Sequence, residues 1–305
     1  MKINNLLRGM MLTIAVVSMM IIVISYAEAQ NPFEDAVKQL SSDNVKGYLQ
    51  PWVTSYGADL NSGFYHTADI GDLGLTIRLD IIGMGAFVGD KQKKYNATNP
   101  FDGTEVETAT IFGERGAIVS PDSLVMYQFQ NGQVKTSFIP FAVPQLTIGD
   151  LYGTQGVIRF ITLPEMNNVP KVSLFGIGAR HSVSRYLPPI PVNLSAGLFY
   201  QSLKIGEIFE ASTFTIGAQL SKSFAVLTLY GGLQYESISM DLNYTYQGTV
   251  PGYTPPSPKV TLNIEGKNQF RGTAGFNINL LAFNIFADIN VGNSIAASGG
   301  IGFGF

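Results

Sequence analysis

From Leu73 the chain alternates at every second position. Leu73, Leu75, Ile77, Leu79 and Ile81 are apolar, while Gly74, Thr76, Arg78 and Asp80 between them are small or polar. Successive side chains of a strand point to opposite faces, so this stretch reads as a strand with one apolar and one polar face. The pattern returns in VNLSAGLFYQ, where Val192, Leu194, Ala196, Leu198 and Tyr200 alternate with Asn193, Ser195, Gly197, Phe199 and Gln201. It returns with Phe270, Ala274, Phe276 and Ile278 against Arg271, Thr273, Asn277 and Asn279, and with Leu281, Phe283, Ile285, Ala287, Ile289 and Val291 against Asn284, Asp288 and Asn290. Many strands of this kind demand a large sheet whose two faces meet different surroundings.

Composition separates the candidates for those surroundings. A soluble sandwich gives the same alternation, but only 13% of the residues are charged, against about a quarter in ordinary soluble domains. Beyond the N-terminal region no run of 18 apolar residues occurs, so a helical membrane span is not expected. The N-terminus carries Lys2 and Arg8, the apolar run Met11 to Ile24, and the small-x-small triplet Ala27-Glu28-Ala29. That is the pattern of a secretory signal peptide over residues 1–29, with the mature chain starting at Gln30. The absence of cysteine excludes disulfides, thiolate metal sites and a cysteine-linked lipid anchor. An exported chain rich in half-apolar strands is expected to be all-β, an antiparallel transmembrane β-barrel in the outer membrane of a Gram-negative bacterium, apolar toward lipid and polar toward the lumen.

Strands are expected over 73–88, 133–147, 155–163, 171–184, 192–203, 209–220, 224–248, 259–279, 281–291 and 295–305, about ten in all. Weak strands within 104–130 would raise the number to twelve or fourteen. The apolar phase changes from even to odd between Leu280 and Leu281, which a continuous strand cannot do without a bulge, so a tight turn is expected near Asn279 to Leu281. Counted back from a periplasmic C-terminus, this turn, Ser221 to Ser223 and Arg185 to Pro191 face the periplasm. The stretch QGTVPGYTPPSPK and the insertion from Gly89 to Gly132 face outward, where long loops belong.

The chain closes on SIAASGGIGFGF, in which Ile295, Ala297, Ile301, Phe303 and Phe305 alternate with Ala296, Ser298, Gly300, Gly302 and Gly304. The last strand must pair with the first to remove the sheet edges. Its ending, with Ile301, Phe303 and Phe305, is similar to the assembly signal that bacterial outer-membrane barrels present to their insertion machinery. The stretches LNSGFYHTADIGDLGL (60–75), TIFGERG (110–116) and RHSVSRYLPPIPVNLSAGLFYQS (180–202) resemble an uncharacterised family of outer-membrane-type proteins of Bacteroidota. That resemblance implies fold and location and carries no activity. A looser architectural likeness is to outer-membrane long-chain fatty-acid transporters, which have a small N-terminal hatch; Asn31-Pro32 does not reproduce a hatch motif.

Residues 30–62 differ in kind and precede the barrel, 63–305. Asn31 suits an N-cap, Pro32 the first helical position, and Glu34 and Asp35 the first turn. Phe33, Ala36, Val37 and Leu40 form a first apolar stripe, and a second, Val45, Tyr48, Leu49, Trp52, Val53 and Tyr56, runs past Pro51, expected to kink or restart the helix, to Gly57, expected to end it. This segment either plugs the lumen with Tyr48, Trp52 and Tyr56 or lies on the periplasmic rim, the rim being the plainer reading. A plug would set Trp52 over the bare face of Gly300, Gly302 and Gly304.

Enzymatic motifs are thin. The two histidines, His66 and His181, accompany no nucleophile elbow or zinc motif, so no enzyme, cofactor or metal is expected. GMGAFVG (83–89) lacks dinucleotide spacing, and Lys91, Lys93 and Lys94 read as a solvated loop rather than a headgroup site. The net charge of −3 argues against nucleic acid. The expected partners are outer-membrane lipid, the insertion machinery and a small hydrophobic ligand. Arg78, Asp80, Arg159, Arg271, Asn277, Asn279 and Asp288 are the candidate luminal residues. Two functions stay open, a narrow channel or transporter for small hydrophobic molecules and a non-transporting surface or scaffold barrel that binds a partner.

Overall fold

The computed structural model describes residues 42–122, 125–165, 170–245 and 259–304. The signal peptide, the helix expected from Asn31, most of the proline-rich loop and Phe305 lie outside the described residues. The wall is built from β1 (Leu73–Phe87), β6 (Phe138–Leu151), β7 (Thr154–Leu163), β8 (Val172–Ser182), β9 (Asn193–Ile205), β10 (Phe209–Phe224), β11 (Leu227–Thr245), β12 (Lys259–Glu265), β13 (Phe270–Leu280), β14 (Phe283–Val291) and β15 (Ile295–Gly304). All pairings are antiparallel, and β15 pairs with β1 from Arg78↔Gly304 to Ala86↔Ala296, which closes the ring. Between β1 and β6 the strands β2 (Lys94–Thr98), β3 (Glu105–Ala109), β4 (Ile118–Val119) and β5 (Tyr127–Gln128) form two separate two-stranded sheets. They add no staves, so the barrel has ten, as expected from the main alternation.

β12 and β13 together make one stave. β12 pairs with the upper part of β11 and β13 with the lower part, and residues 266–269 interrupt them. The interruption leaves backbone groups that need partners. A helix inside the barrel supplies two of them: Lys267 N donates to Thr54 Oγ1 at 3.1 Å, and the Glu265 carbonyl accepts from Gln50 Nε2 at 3.4 Å; the Asn268 side chain adds a bond from Nδ2 to the Thr54 carbonyl at 3.3 Å.

The two-residue connections gather at one end of the barrel, while the three-residue connections 206–208 and 292–294 lie at the other end with the longest one. One turn is Leu281-Ala282, with Leu281 at φ 57°, close to the expected place. The turn expected at Ser221 to Ser223 falls instead at Ala225-Val226, because β10 pairs with β11 as far as Phe224↔Leu227. Tyr152-Gly153 makes a third. We name this the turn end. Residues 88–137 form the longest described connection at the opposite, loop end.

The outward face carries large exposed apolar residues, among them Phe160, Ile177, Leu198, Ile216, Leu229, Ile285, Ile301 and Phe303. Such an apolar belt is the outward pattern of an outer-membrane-type barrel fold. The expectation of a polar lumen holds only for the turn-end half. In β11 the inward residues Thr228, Tyr230, Gln234 and Glu236 give way to Ile238, Met240 and Leu242, all buried. The outward residues change in the opposite sense, from Leu229, Leu233 and Tyr235 to Ser237, Ser239, Asp241 and Asn243. Ser173 of β8, Ser202 and Lys204 of β9, Glu210 and Ser212 of β10, and Thr261, Asn263 and Glu265 of β12 continue this outward polar band. The loop-end half of this wall therefore has the polarity of a water-soluble sheet, with its apolar side inward.

That apolar side is filled by the one described helix, α1 (Ser42–Leu60). Val45, Tyr48, Leu49, Trp52, Val53 and Tyr56 are buried in one cluster with Ile82, Met84, Leu174, Leu203, Ile238, Met240, Leu262 and other inward residues of the wall. The helix lies in the lumen, which overturns the rim reading. An apolar stripe this complete is stable only against an apolar lining, and the inverted half of the barrel provides one. α1 continues through Pro51 and beyond Gly57. Gly57 is needed for packing and not as a stop, since a Cβ there would run into the Ile238 side chain.

Candidate functional site: the filled lumen

The C-terminal end of α1 stops at mid-lumen, where the last four carbonyls of a helix lack intrahelical donors and carry the negative end of its dipole. Each is met. Gly57 O accepts from Asn61 N at 3.1 Å and Asp59 O from Ser62 N at 2.9 Å. Ala58 O accepts from Arg271 at 2.7 Å and from Ser62 Oγ at 2.6 Å. Leu60 O accepts from Arg159 at 3.0 Å and from Gln201 Nε2 at 2.5 Å. The next carbonyls continue the contact: Ser62 O accepts from Arg159 at 2.7 Å and Asn61 O from Gln234 at 3.3 Å. Donors from β7, β9, β11 and β13 thus converge on one helix end.

The arginines are themselves held by the wall. Arg271 forms a buried ion pair with Glu236 on the neighbouring stave, 2.9 Å apart, with the two side chains 2% and 1% exposed. Arg159 donates to Gln145 at 2.8 Å and lies over the Phe64 ring at 3.8 Å. Toward the turn end, Arg180 binds the Thr67 carbonyl at 2.6 Å and the side chains of Gln219 and Gln155. Arg78 pairs with Asp80 at 3.0 Å. Asp288 accepts from Tyr230, Asn290 and Ser298.

Below α1 the chain descends as a ladder of rings. Phe64 stacks on Phe199 at 4.0 Å, Tyr65 meets Tyr230 edge-on at 5.9 Å, and His66 stacks on Phe286 at 4.5 Å. Ala68 N donates to Ser221 Oγ at 2.9 Å. The segment then reaches the turn end, where Tyr152 N and Gly153 N donate to the carbonyls of Asp72 and Gly71. Burial and the neighbouring Asp150 push the Asp69 carboxyl up.

Of the candidate luminal residues, Asp80, Arg159, Arg271, Asn277 and Asp288 are buried inside. Arg78 is partly exposed, and Asn279 is exposed at the turn end. Only Arg159 and Arg271 touch the helix. Tyr48, Trp52 and Tyr56 fill the lumen, but Trp52 does not cover the C-terminal glycines. It packs against Tyr56 and Phe209, at 5.0 and 5.1 Å, in the loop-end half, whereas Gly300, Gly302 and Gly304 lie lower. The space over Gly302 is taken by Asp80 and Asn284, and that over Gly300 by Phe286. Ile301 and Phe303 point outward, and Phe303 contacts Phe283 with ring centres 5.0 Å apart.

Arg180, Glu236, Gln145, Gln201, Gln234 and the fully buried Asp59 were not singled out from the sequence. Their signal was present in the inward phase of their strands, except for Asp59, which sits on the helix. Among the described residues neither oxygen of Asp59 has a hydrogen-bond partner, and no group of three or more His, Asp or Glu is placed to hold a metal. His181 lies at the turn end between Thr154 and Tyr186, 2.8 Å from each hydroxyl. In the outer connection Lys93 pairs with Asp90 and Lys94 with Glu107. A crevice of about 490 Å³ opens in the wall beside the β12–β13 interruption, lined by Leu233, Tyr235, Phe270, Gly272 and Val291 together with Gln234 and Arg271.

The chain belongs to the family of unknown function DUF6588, whose model matches residues 6–305. No curated protein matches it. Among solved structures it is similar to the outer membrane protease OmpT of Escherichia coli, at 7% identity over 80% of this chain and 99% of that one, with a TM-score of 0.35. It is also similar to Ail, the attachment invasion locus protein of Yersinia pestis, at 11% identity over 76% and 100% of the two chains and a TM-score of 0.24. The translocator domain of the autotransporter NalP from Neisseria meningitidis matches at 12% identity over 75% and 88%, with a TM-score of 0.24.

Proposed function

We propose that this member of the DUF6588 family is a closed, non-enzymatic scaffold barrel of the Gram-negative outer membrane, which holds its loop-end structure at the cell surface without conducting solutes. The observation that carries this reading is the clamp at mid-lumen, where Arg159, Arg271, Gln201 and Gln234 bind the end of α1. Moving the helix would strip buried charged donors of their acceptors, which costs several times what a surface ion pair returns.

A second reading, passage of a small hydrophobic molecule, is favoured by the crevice at the β12–β13 interruption. It requires α1 to shift, because the helix is fastened to the same interruption through Thr54. Thr54→Val removes the hydroxyl that accepts from Lys267 N and keeps the shape of the side chain, and so loosens the helix from the wall at this point. The scaffold reading expects wild type and Thr54→Val to be silent in planar bilayers and equally impermeable to a fluorescent fatty-acid probe in proteoliposomes. Probe uptake by the wild type that rises in Thr54→Val would establish the passage reading instead.

A further inference from the structure

We infer that the chain is threaded through its own barrel from the outside inward, so that the N-terminal end of α1 is presented at the cell exterior. The inference rests on the outer-membrane reading and goes beyond it. Two independent observations carry it.

The first is the path of the chain. α1 starts among the loop-end hairpins: Asn44 exchanges hydrogen bonds with the backbone of Thr98 in β2, at 2.9 and 3.1 Å. One step further, Tyr48 donates to the Asn131 carbonyl at 2.9 Å, and Ile111 N donates to Tyr48 O at 3.1 Å. The chain then runs the length of the lumen, past the arginine clamp and the ring ladder. It reaches the turn end at Gly71 and Asp72, from which β1 starts back up the wall. In barrels of this type the short turns face the periplasm and the long connections face outward. By that asymmetry the start of α1 is outside and its continuation into β1 is inside.

The second observation is the polarity of the wall. The outward band from Ser173 through Lys204, Glu210, Ser239 and Asp241 to Asn263 is polar and contiguous across β8 to β12. Lys204 and Glu210 form an ion pair across it at 2.7 Å. Such a surface is costly against hydrocarbon, more so for the charged groups, so this part of the wall stands above the bilayer. The apolar stripe of α1 shares one buried cluster with the inner side of that same stretch, Ile238, Met240, Leu203, Leu262 and Ile264, with Trp52 against Phe209 of β10. It therefore belongs to a water-soluble type of core beyond the membrane boundary and not to the membrane-embedded lumen.

One consequence concerns motion. A plug that enters from the periplasm can swing out on its tether. Here the helix is continuous with β1 at the turn end, so it cannot leave toward the periplasm without drawing its own N-terminal end through the clamp.

The cysteine-free chain allows a direct test in intact cells with a membrane-impermeant maleimide. Asp43 at the start of α1 and Asp102 in the outer connection are exposed, and Val226 at the turn end is 53% exposed. Asp43→Cys and Asp102→Cys are expected to label on intact cells, and Val226→Cys only after permeabilisation. An epitope inserted directly before Ser42 should stain without permeabilisation. If Asp102→Cys labels on intact cells while Asp43→Cys labels only after permeabilisation, or in neither state, the threading is wrong and the membrane orientation stands. If Val226→Cys labels on intact cells and Asp102→Cys does not, the orientation itself is overturned.

Discussion

Arg271 shows how one side chain joins three elements. Its guanidinium reaches Glu236 on the neighbouring stave, Ser62 beyond the helix and the Ala58 carbonyl within it. Truncating one partner of a buried ion pair leaves the other charge unpaired, at a cost of about 3–5 kcal/mol. Arg271→Ala should therefore lower the temperature at which the folded band converts to the unfolded one in unboiled gels, and Arg271→Lys should recover only part of that loss, since an ammonium cannot form the planar fork. Equal midpoints for Arg271→Ala and wild type would show that the clamp contributes nothing. The sequence placed Arg271 and Arg159 on the inward phase, but alternation says which way a side chain points and not what it meets. The same holds for Glu236, whereas Asp59 sits on the helix, where no strand alternation marks it. The glycines of β15 carry a related lesson: a bare inward face suits either open space or a close neighbour, and Asp80, Asn284 and Phe286 take up that room.

At the scale of elements, α1 was recognisable from its stripe, but its place was not. The same stripe suits a membrane rim and a lumen, and only the inverted lining of the loop-end half, with Ile238, Met240 and Leu242 inward, decides between them. Trp52 is the largest group in that interface, packed between Tyr56 and Phe209. Trp52→Ala should cost about 3–5 kcal/mol, read as a lower conversion temperature with the barrel still inserted. An unchanged midpoint would mean that the helix is loosely held. The break between β12 and β13 escaped notice because residues 259–279 keep enough alternation to read as one strand. At that break Gln50 of the helix bonds the Glu265 carbonyl and Thr54 accepts from Lys267 N.

For the whole molecule, closure depends on β15 pairing with β1 on one side and β14 on the other. Replacing Phe303 and Phe305 by serine should reduce insertion into the outer membrane and cause periplasmic accumulation, without affecting secretion across the inner membrane; undiminished insertion would remove the terminal alternation from the assembly argument. The wild-type barrel should run as a compact band before boiling and a slower one after, and an unshifted band would contradict closure. The main staves, a tight turn near Leu281 and the outward apolar belt were legible in the sequence alone, because strand periodicity is a local property and each phase change is written in adjacent residues; that the weak strands within 104–130 add no stave was not. The filled lumen, the two-storey interior and the clamp on α1 were decided by tertiary structure. Whether an inward residue faces water, a counter-ion or a helix depends on what the opposite staves and the chain's own N-terminal segment bring to that height, and residues so far apart in sequence meet only when the ring closes.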